Sequence, residues 1–211
     1  MAIYKNGILG SFSNKLGTVV GRHWKGKAVM AALPSSVTDP KSDKQERVRS
    51  KFGLRGHLAA VLLGAINVGL RREANKRIST QIAEFVRLNW NSNIEDGYYD
   101  EVTIAKGTLP GIYPHRTTPV VYQNNIIRVQ FTRAPRNGRG ELNDTVIAVA
   151  YCPAEDQMIM ASQDARMMNV ELTPPAAWSG KIAVWAFVSA INQKKERYNV
   201  SKSVFMGTVT I

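Results

Sequence analysis

A single cysteine, Cys152, stands in 211 residues, which excludes an intrachain disulfide and any multi-cysteine zinc or iron–sulfur site. Histidine is nearly as scarce. His23, His57 and His115 show no ligand-like spacing, and no His-Glu-x-x-His, nucleophile elbow or Walker sequence occurs. The adjacent acids Glu95-Asp96, Asp100-Glu101 and Glu155-Asp156 read as turn chemistry rather than a general acid/base pair. These absences point away from an enzyme, a cofactor and a metal. Long hydrophobic runs are missing too. The first residues are broken by polar side chains and glycine, without the apolar core of about 7–15 residues that a secretory signal needs. The most apolar stretch, residues 58–70, falls short of the roughly 18–20 needed to span a bilayer and reads as a buried helix. The expectation is cytoplasmic synthesis with no membrane span.

Acidic residues are the other shortage. Lys and Arg number 28 against 16 Asp and Glu, a net charge of +12. The excess is one-sided: residues 1–92 carry 16 basic and 5 acidic side chains (net +11), and residues 93–211 carry 12 and 11 (net +1). Such asymmetry suits a partner-facing surface in the N-terminal half. With 44% hydrophobic residues the chain is otherwise of ordinary globular composition, with room for one large or two small domains.

Three segments follow. Residues 1–34 place Gly7, Gly10, Gly17, Gly21 and Gly26 between short β-type pieces, and Trp24-Lys25-Gly26-Lys27 reads as one tight turn. Residues 39–92 have helical periodicity, with Asp39-Pro40 as the start signal and a possible break at Gly53 and Gly56. A second helix begins near Ala74 or Asn75, with Ile78, Ile82, Phe85 and Asn89 on one face, giving an antiparallel helical hairpin. From about residue 100 the period falls to 2. Candidate strands are 102–105, 119–122, 126–132, 145–151, 158–161, 168–172, 181–188 and 203–211. Turns at Asn124-Asn125, Asn137-Gly138 and Ser179-Gly180 separate strands, and Trp178 and Trp185 supply large core anchors. The fold class is α+β: a glycine-rich N-terminal β segment and helical hairpin over residues 1–98, then an immunoglobulin- or fibronectin-like antiparallel sandwich over 99–211.

Lys44, Arg47, Lys51 and Arg55 recur at spacings that form one helical stripe, with Val48 and Phe52 beside it. With the cluster Arg71, Arg72, Lys76 and Arg77 they make the candidate contact face for nucleic-acid phosphates or for a protein partner. Arg133, Arg136 and Arg139 sit on one loop that suits a hairpin tip. His57 reads as a packing or capping residue and Cys152 as a packing one.

The opening Met1-Ala-Ile-Tyr-Lys-Asn-Gly-Ile-Leu-Gly10, continued by Ser11-Phe-Ser-Asn-Lys-Leu-Gly-Thr-Val-Val-Gly21 and Trp24-Lys-Gly26, resembles a domain-of-unknown-function family common in Bacteroidota. The resemblance continues through Asp43-Lys-Gln45, Arg49-Ser-Lys-Phe52, Lys106-Gly-Thr-Leu-Pro110 and the ending Val200-Ser-Lys-Ser-Val-Phe-Met-Gly-Thr-Val209. It implies glycine where this chain has Asn14, and Arg-Ser where it has Ala31-Ala32. Pro40-Lys-Ser-Asp-Lys-Gln45 is also similar to a short pattern of some phage-type structural proteins. The leading expectation is a non-enzymatic structural or assembly protein that self-associates, of the kind found in phage or mobile-element virions. The alternative is a sequence-tolerant DNA- or RNA-binding protein working through the basic helical face. An adhesin-like display module is a third reading, weakened by the missing secretion signal.

Overall fold

The structure is a computed structural model and describes residues 2–3, 12–33, 36, 39, 41–133, 144–192 and 197–211. Two compact units meet between Glu46 and Arg47, so the expected boundary at 98/99 falls inside the second. The first unit holds an antiparallel sheet of β1 (Ala2–Ile3), β2 (Asn14–Leu16), β3 (Val19–Trp24) and β4 (Lys27–Ala32), in the order β1-β4-β3-β2. The expected turn is there. Lys25 and Gly26 have φ of 50° and 74°, the paired positive values of the tight turn whose twist matches a two-residue hairpin. Gly21 is required by packing, since a Cβ there would run into the carbonyl and ring of Phe12. Gly7 and Gly10 lie outside the described residues.

Helix α1 (Asp43–Val61) starts later than Asp39-Pro40 suggests, and Pro40 lies outside the described residues. Ser42 supplies the cap, its hydroxyl accepting from the Gln45 backbone N–H at 3.4 Å. No break occurs at Gly53 or Gly56. The chain instead bends by 86° at Leu62, between α1 and α2 (Leu63–Gly69). Backbone hydrogen bonds carry through the bend, from Leu62 N to Leu58 O and from Ile66 N to Leu62 O. The bend lets Leu58, Leu62, Ile66 and Leu70, four residues apart, reach the same core. Helices α3 (Arg71–Arg77) and α4 (Gln81–Leu88) follow, so four helices replace the expected hairpin of two. Ile78 ends α3 in a left-handed conformation, 69% exposed, rather than lining the Phe85 face. Thr80 then caps α4 by accepting from Ala83 N at 3.2 Å.

The remaining strands are β5 (Ile112–Pro114), β6 (Val120–Gln123), β7 (Ile126–Arg133), β8 (Asp144–Cys152), β9 (Gln157–Asp164), β10 (Asn169–Leu172), β11 (Lys181–Asn192), β12 (Arg197–Val200) and β13 (Val204–Thr210). They form two antiparallel sheets. One is β10-β7-β5 with β6 also on β7, and the other is β12-β11-β8-β9 with β13 also on β11. Strands β8 and β11, central in the second sheet, are buried on both faces and so read as almost unbroken apolar runs. Val146, Ala148, Ala150 and Cys152 pack toward the other sheet with Ile127, Val129, Phe131 and Trp178. Ile147, Val149 and Tyr151, on the opposite face by the period of 2, pack with Trp185 against the helices. Both tryptophans are core anchors as expected, one in each core.

Residues 102–105 are not a strand. The backbone N–H groups of Ile104 and Ala105 both go to the Ser203 hydroxyl, at 3.0 and 3.2 Å, and Thr103 N donates to the Asn89 side chain at 2.7 Å. Side-chain acceptors therefore satisfy a buried connector that lacks a partner strand.

Candidate functional site

One arginine ties α1 to the segment that follows α4. Arg55 is fully buried, and its guanidinium donates to the carbonyls of Asn89 (2.8 Å), Ser92 (2.7 Å) and Lys51 (3.1 Å) and to Glu95 Oε1 (2.8 Å). The Glu95 carboxyl is held below its ordinary range, first by the hydrogen bond from Arg55 and then by a backbone N–H. On its other side Arg55 Cζ lies 5.7 Å from the ring centroid of Trp90. Asn89, itself buried, ties this node to the 102–105 connector by donating to Thr103 O at 3.0 Å.

Of the eight helical residues of the expected basic face, Arg55 is buried and Arg72 half-buried, and the other six are exposed. Lys44, Arg47 and Lys51 are exposed along α1, and Arg55, the fourth member of the stripe, is turned inward. Lys51 Nζ lies 3.8 Å from Glu95. Arg72 donates to Asn199 Oδ1 at 2.7 Å and Thr108 Oγ1 at 3.0 Å, fastening α3 to β12. Lys76 pairs with Glu73 at 2.9 Å, Arg77 lies 3.8 Å from the buried Glu84 carboxylate, and Arg71 is exposed. Arg133 pairs with Asp144 at 3.2 Å, whereas Arg136 and Arg139 lie outside the described residues. Arg55, Arg72, Arg77 and Arg133 thus bridge separate elements of the protein.

A concavity lies beside the Arg55 node. Phe52 and Gly56 of α1, Ile82 and Val86 of α4, and Trp90 line an open apolar trough of about 810 Å³. Phe52 is 59% and Ile82 37% exposed at its lips. Gly56 keeps the floor clear, with nothing within 4 Å of where a Cβ would stand. Val48, Phe52 and Gly56, four residues apart, form a second stripe next to the basic one. That spacing was the signal for the trough, but the α4 half is not readable until the helices are packed.

The family model described as Family of unknown function (DUF6266) matches residues 11–207. The chain belongs to that family. No curated protein and no solved structure matches it. Asn14, where the resemblance implies glycine, has a φ of 87°, a backbone that glycine adopts without strain.

His57 is not packed inside. Its side chain is 60% exposed, and Nε2 meets Asp156 Oδ2 on the turn between β8 and β9. The other Asp156 oxygen accepts from the Tyr151 hydroxyl at 3.0 Å. Burial, then the bond to Asp156, raises the Tyr151 pKa far above its ordinary value, so the phenol stays a neutral donor. The string links the end of α1 to the sheet. Among the described residues no group of three His, Cys, Asp or Glu could hold a metal ion, and no single helix is long and apolar enough to cross a membrane.

Proposed function

We propose that the protein is a non-enzymatic structural protein that self-associates, with a second copy occupying the α1–α4 trough. The observation that carries this reading is the pair of exposed apolar lips, Phe52 and Ile82, on a concavity whose floor is held rigid by Arg55 under Trp90. Charge favours a second copy as the occupant. The first turn of α1 carries Asp43 and Glu46 around Lys44, and the next two turns carry Arg47, Arg49 and Lys51. An antiparallel second α1 brings the two carboxylates of each copy toward the basic turns of the other, the self-complementarity of a two-fold contact. The display framework is read as immunoglobulin-like: β6-β7-β10 takes the place of strands A-B-E, and β9-β8-β11-β13 the place of C′-C-F-G. A repeating particle such as a virion is a setting that suits such a protein.

Light scattering on a sizing column tests the reading. The wild type should run at twice its 23.4 kDa mass and persist at high salt, and Phe52→Glu should run at the single mass. A wild-type monomer at every salt concentration, or a Phe52→Glu dimer, refutes it.

A further inference from the structure

The N-terminal sheet has a surface of a different kind. Register places Lys15 opposite Val20, Arg22 opposite Val29, and Trp24 opposite Lys27. Val20, Arg22 and Trp24 alternate along β3, so Lys15, Arg22, Trp24 and Lys27 all project from one face of the sheet. All four are exposed, Trp24 by 54%, although a tryptophan is ordinarily among the most buried side chains. Lys25, in the tight turn, stands with Nζ 5.1 Å from the Trp24 ring centroid. Residues 1–38 contain no Asp or Glu, so the charged side chains of that stretch are all of one sign.

We propose that this face binds single-stranded nucleic acid, with Trp24 stacking on a base and Lys15, Arg22, Lys25 and Lys27 contacting the flanking phosphates. A flat aromatic ring with ammonium and guanidinium groups around it matches alternating bases and phosphates. An acidic peptide would use the cations and leave the exposed indole without a partner. Recognition is by stacking and charge, so it tolerates sequence. The site uses none of the residues of the α1 stripe on which the expectation of nucleic-acid binding rested, and none of the trough.

The test is fluorescence anisotropy of a labelled oligothymidine of about 15 nucleotides with the full chain. Wild type should bind at low salt, with affinity falling at a log–log slope of about −3 if all four cations meet phosphates. Trp24→Ala should weaken binding about tenfold or more, and Trp24→Phe by less. Replacing Lys15, Arg22 and Lys27 with Gln should flatten the slope to about −1. Lys27→Gln alone, whose side chain projects outward, serves if the triple variant loses its fold, and should reduce the slope by about 0.7. Absence of binding at low salt overturns the proposal. So does equal competition by polyglutamate, or unchanged binding in Trp24→Ala, or loss of binding on replacing Arg47 and Lys51 with Gln instead.

Discussion

Replacing Arg55 with Met removes the guanidinium while filling much of the volume of its stem. The Ser92 carbonyl loses its 2.7 Å donor, Lys51 O loses a second, and Trp90 loses the cation beneath its ring. Asn89 O keeps a bond from the Ser92 hydroxyl at 2.7 Å and is not orphaned. A buried carbonyl left without a donor costs about 1–3 kcal/mol, and the charge that remains, Glu95, has 34% of its side chain exposed. Arg55→Met should therefore destabilise the second unit by about 1–3 kcal/mol. Glu95→Gln should cost about 1 kcal/mol or less, because the Glu95 side chain is 34% exposed and Arg55 keeps its three carbonyls. Urea denaturation followed by tryptophan fluorescence measures both. The pH dependence has a definite sign: the folded pKa of Glu95 is lowered, so its stabilisation is complete above the unfolded value of about 4.5 and fades as pH falls through the lower folded value. Glu95→Gln should remove that part of the acid sensitivity. An Arg55→Met protein within 1 kcal/mol of wild type, or equal costs for both variants, refutes the account of Arg55 as the fastening of the helical layer.

Three further predictions concern the backbone. Ile78 holds a φ of 51° with its β-branched side chain mostly in solvent, so Ile78→Gly should raise stability by about 1 kcal/mol, seen as a rise of about 2–4 °C in the melting midpoint; a fall refutes strain at that cap. A Cβ on Gly107 would run into the Val200 carbonyl, so Gly107→Ala should cost about 2 kcal/mol or more in urea unfolding. Gly53, mid-helix with open space around it, should gain about 0.5–1 kcal/mol on conversion to Ala, and a loss there contradicts the continuity of α1.

What the sequence made legible follows the range of the interactions involved. Strand β7, the Asn124-Asn125 turn and the Lys25-Gly26 turn were readable because period 2 and positive-φ residues are local signals, and β8 because a short apolar run is one too. The helical hairpin was not, because what ends α3 is a left-handed isoleucine and what bends the chain at Leu62 is the shape of the core. Neither leaves the glycine or proline mark that a stop usually carries. Residues 102–105 alternate like a strand, yet Ser203, about 100 positions away in sequence, satisfies their amides. Arg55 shows the same limit at the candidate site: helical spacing placed it on the basic stripe, and only the packing of residues 89–95 shows that the stripe ends inside the protein. Exposure of Trp24 is likewise a tertiary fact, since the sequence around it specifies only the turn.

Opposite responses to salt separate the two proposed surfaces. A contact through the trough buries Phe52 and Ile82 between two chains that each carry +12, so its driving force is apolar and its opposition is electrostatic. Added salt screens that repulsion, with a Debye length of about 10 Å at 0.1 M and 3 Å at 1 M, and self-association should strengthen or hold. Binding on the Lys15–Arg22–Trp24–Lys27 face releases counterions and must weaken over the same range. Any nucleic acid retained at low salt also neutralises part of the repulsion between copies, so it should favour self-association there. A salt series with and without oligothymidine therefore reads both surfaces at once. Dimer that falls with salt in the absence of oligonucleotide assigns the copy–copy contact to charge pairs along α1 rather than to the apolar trough.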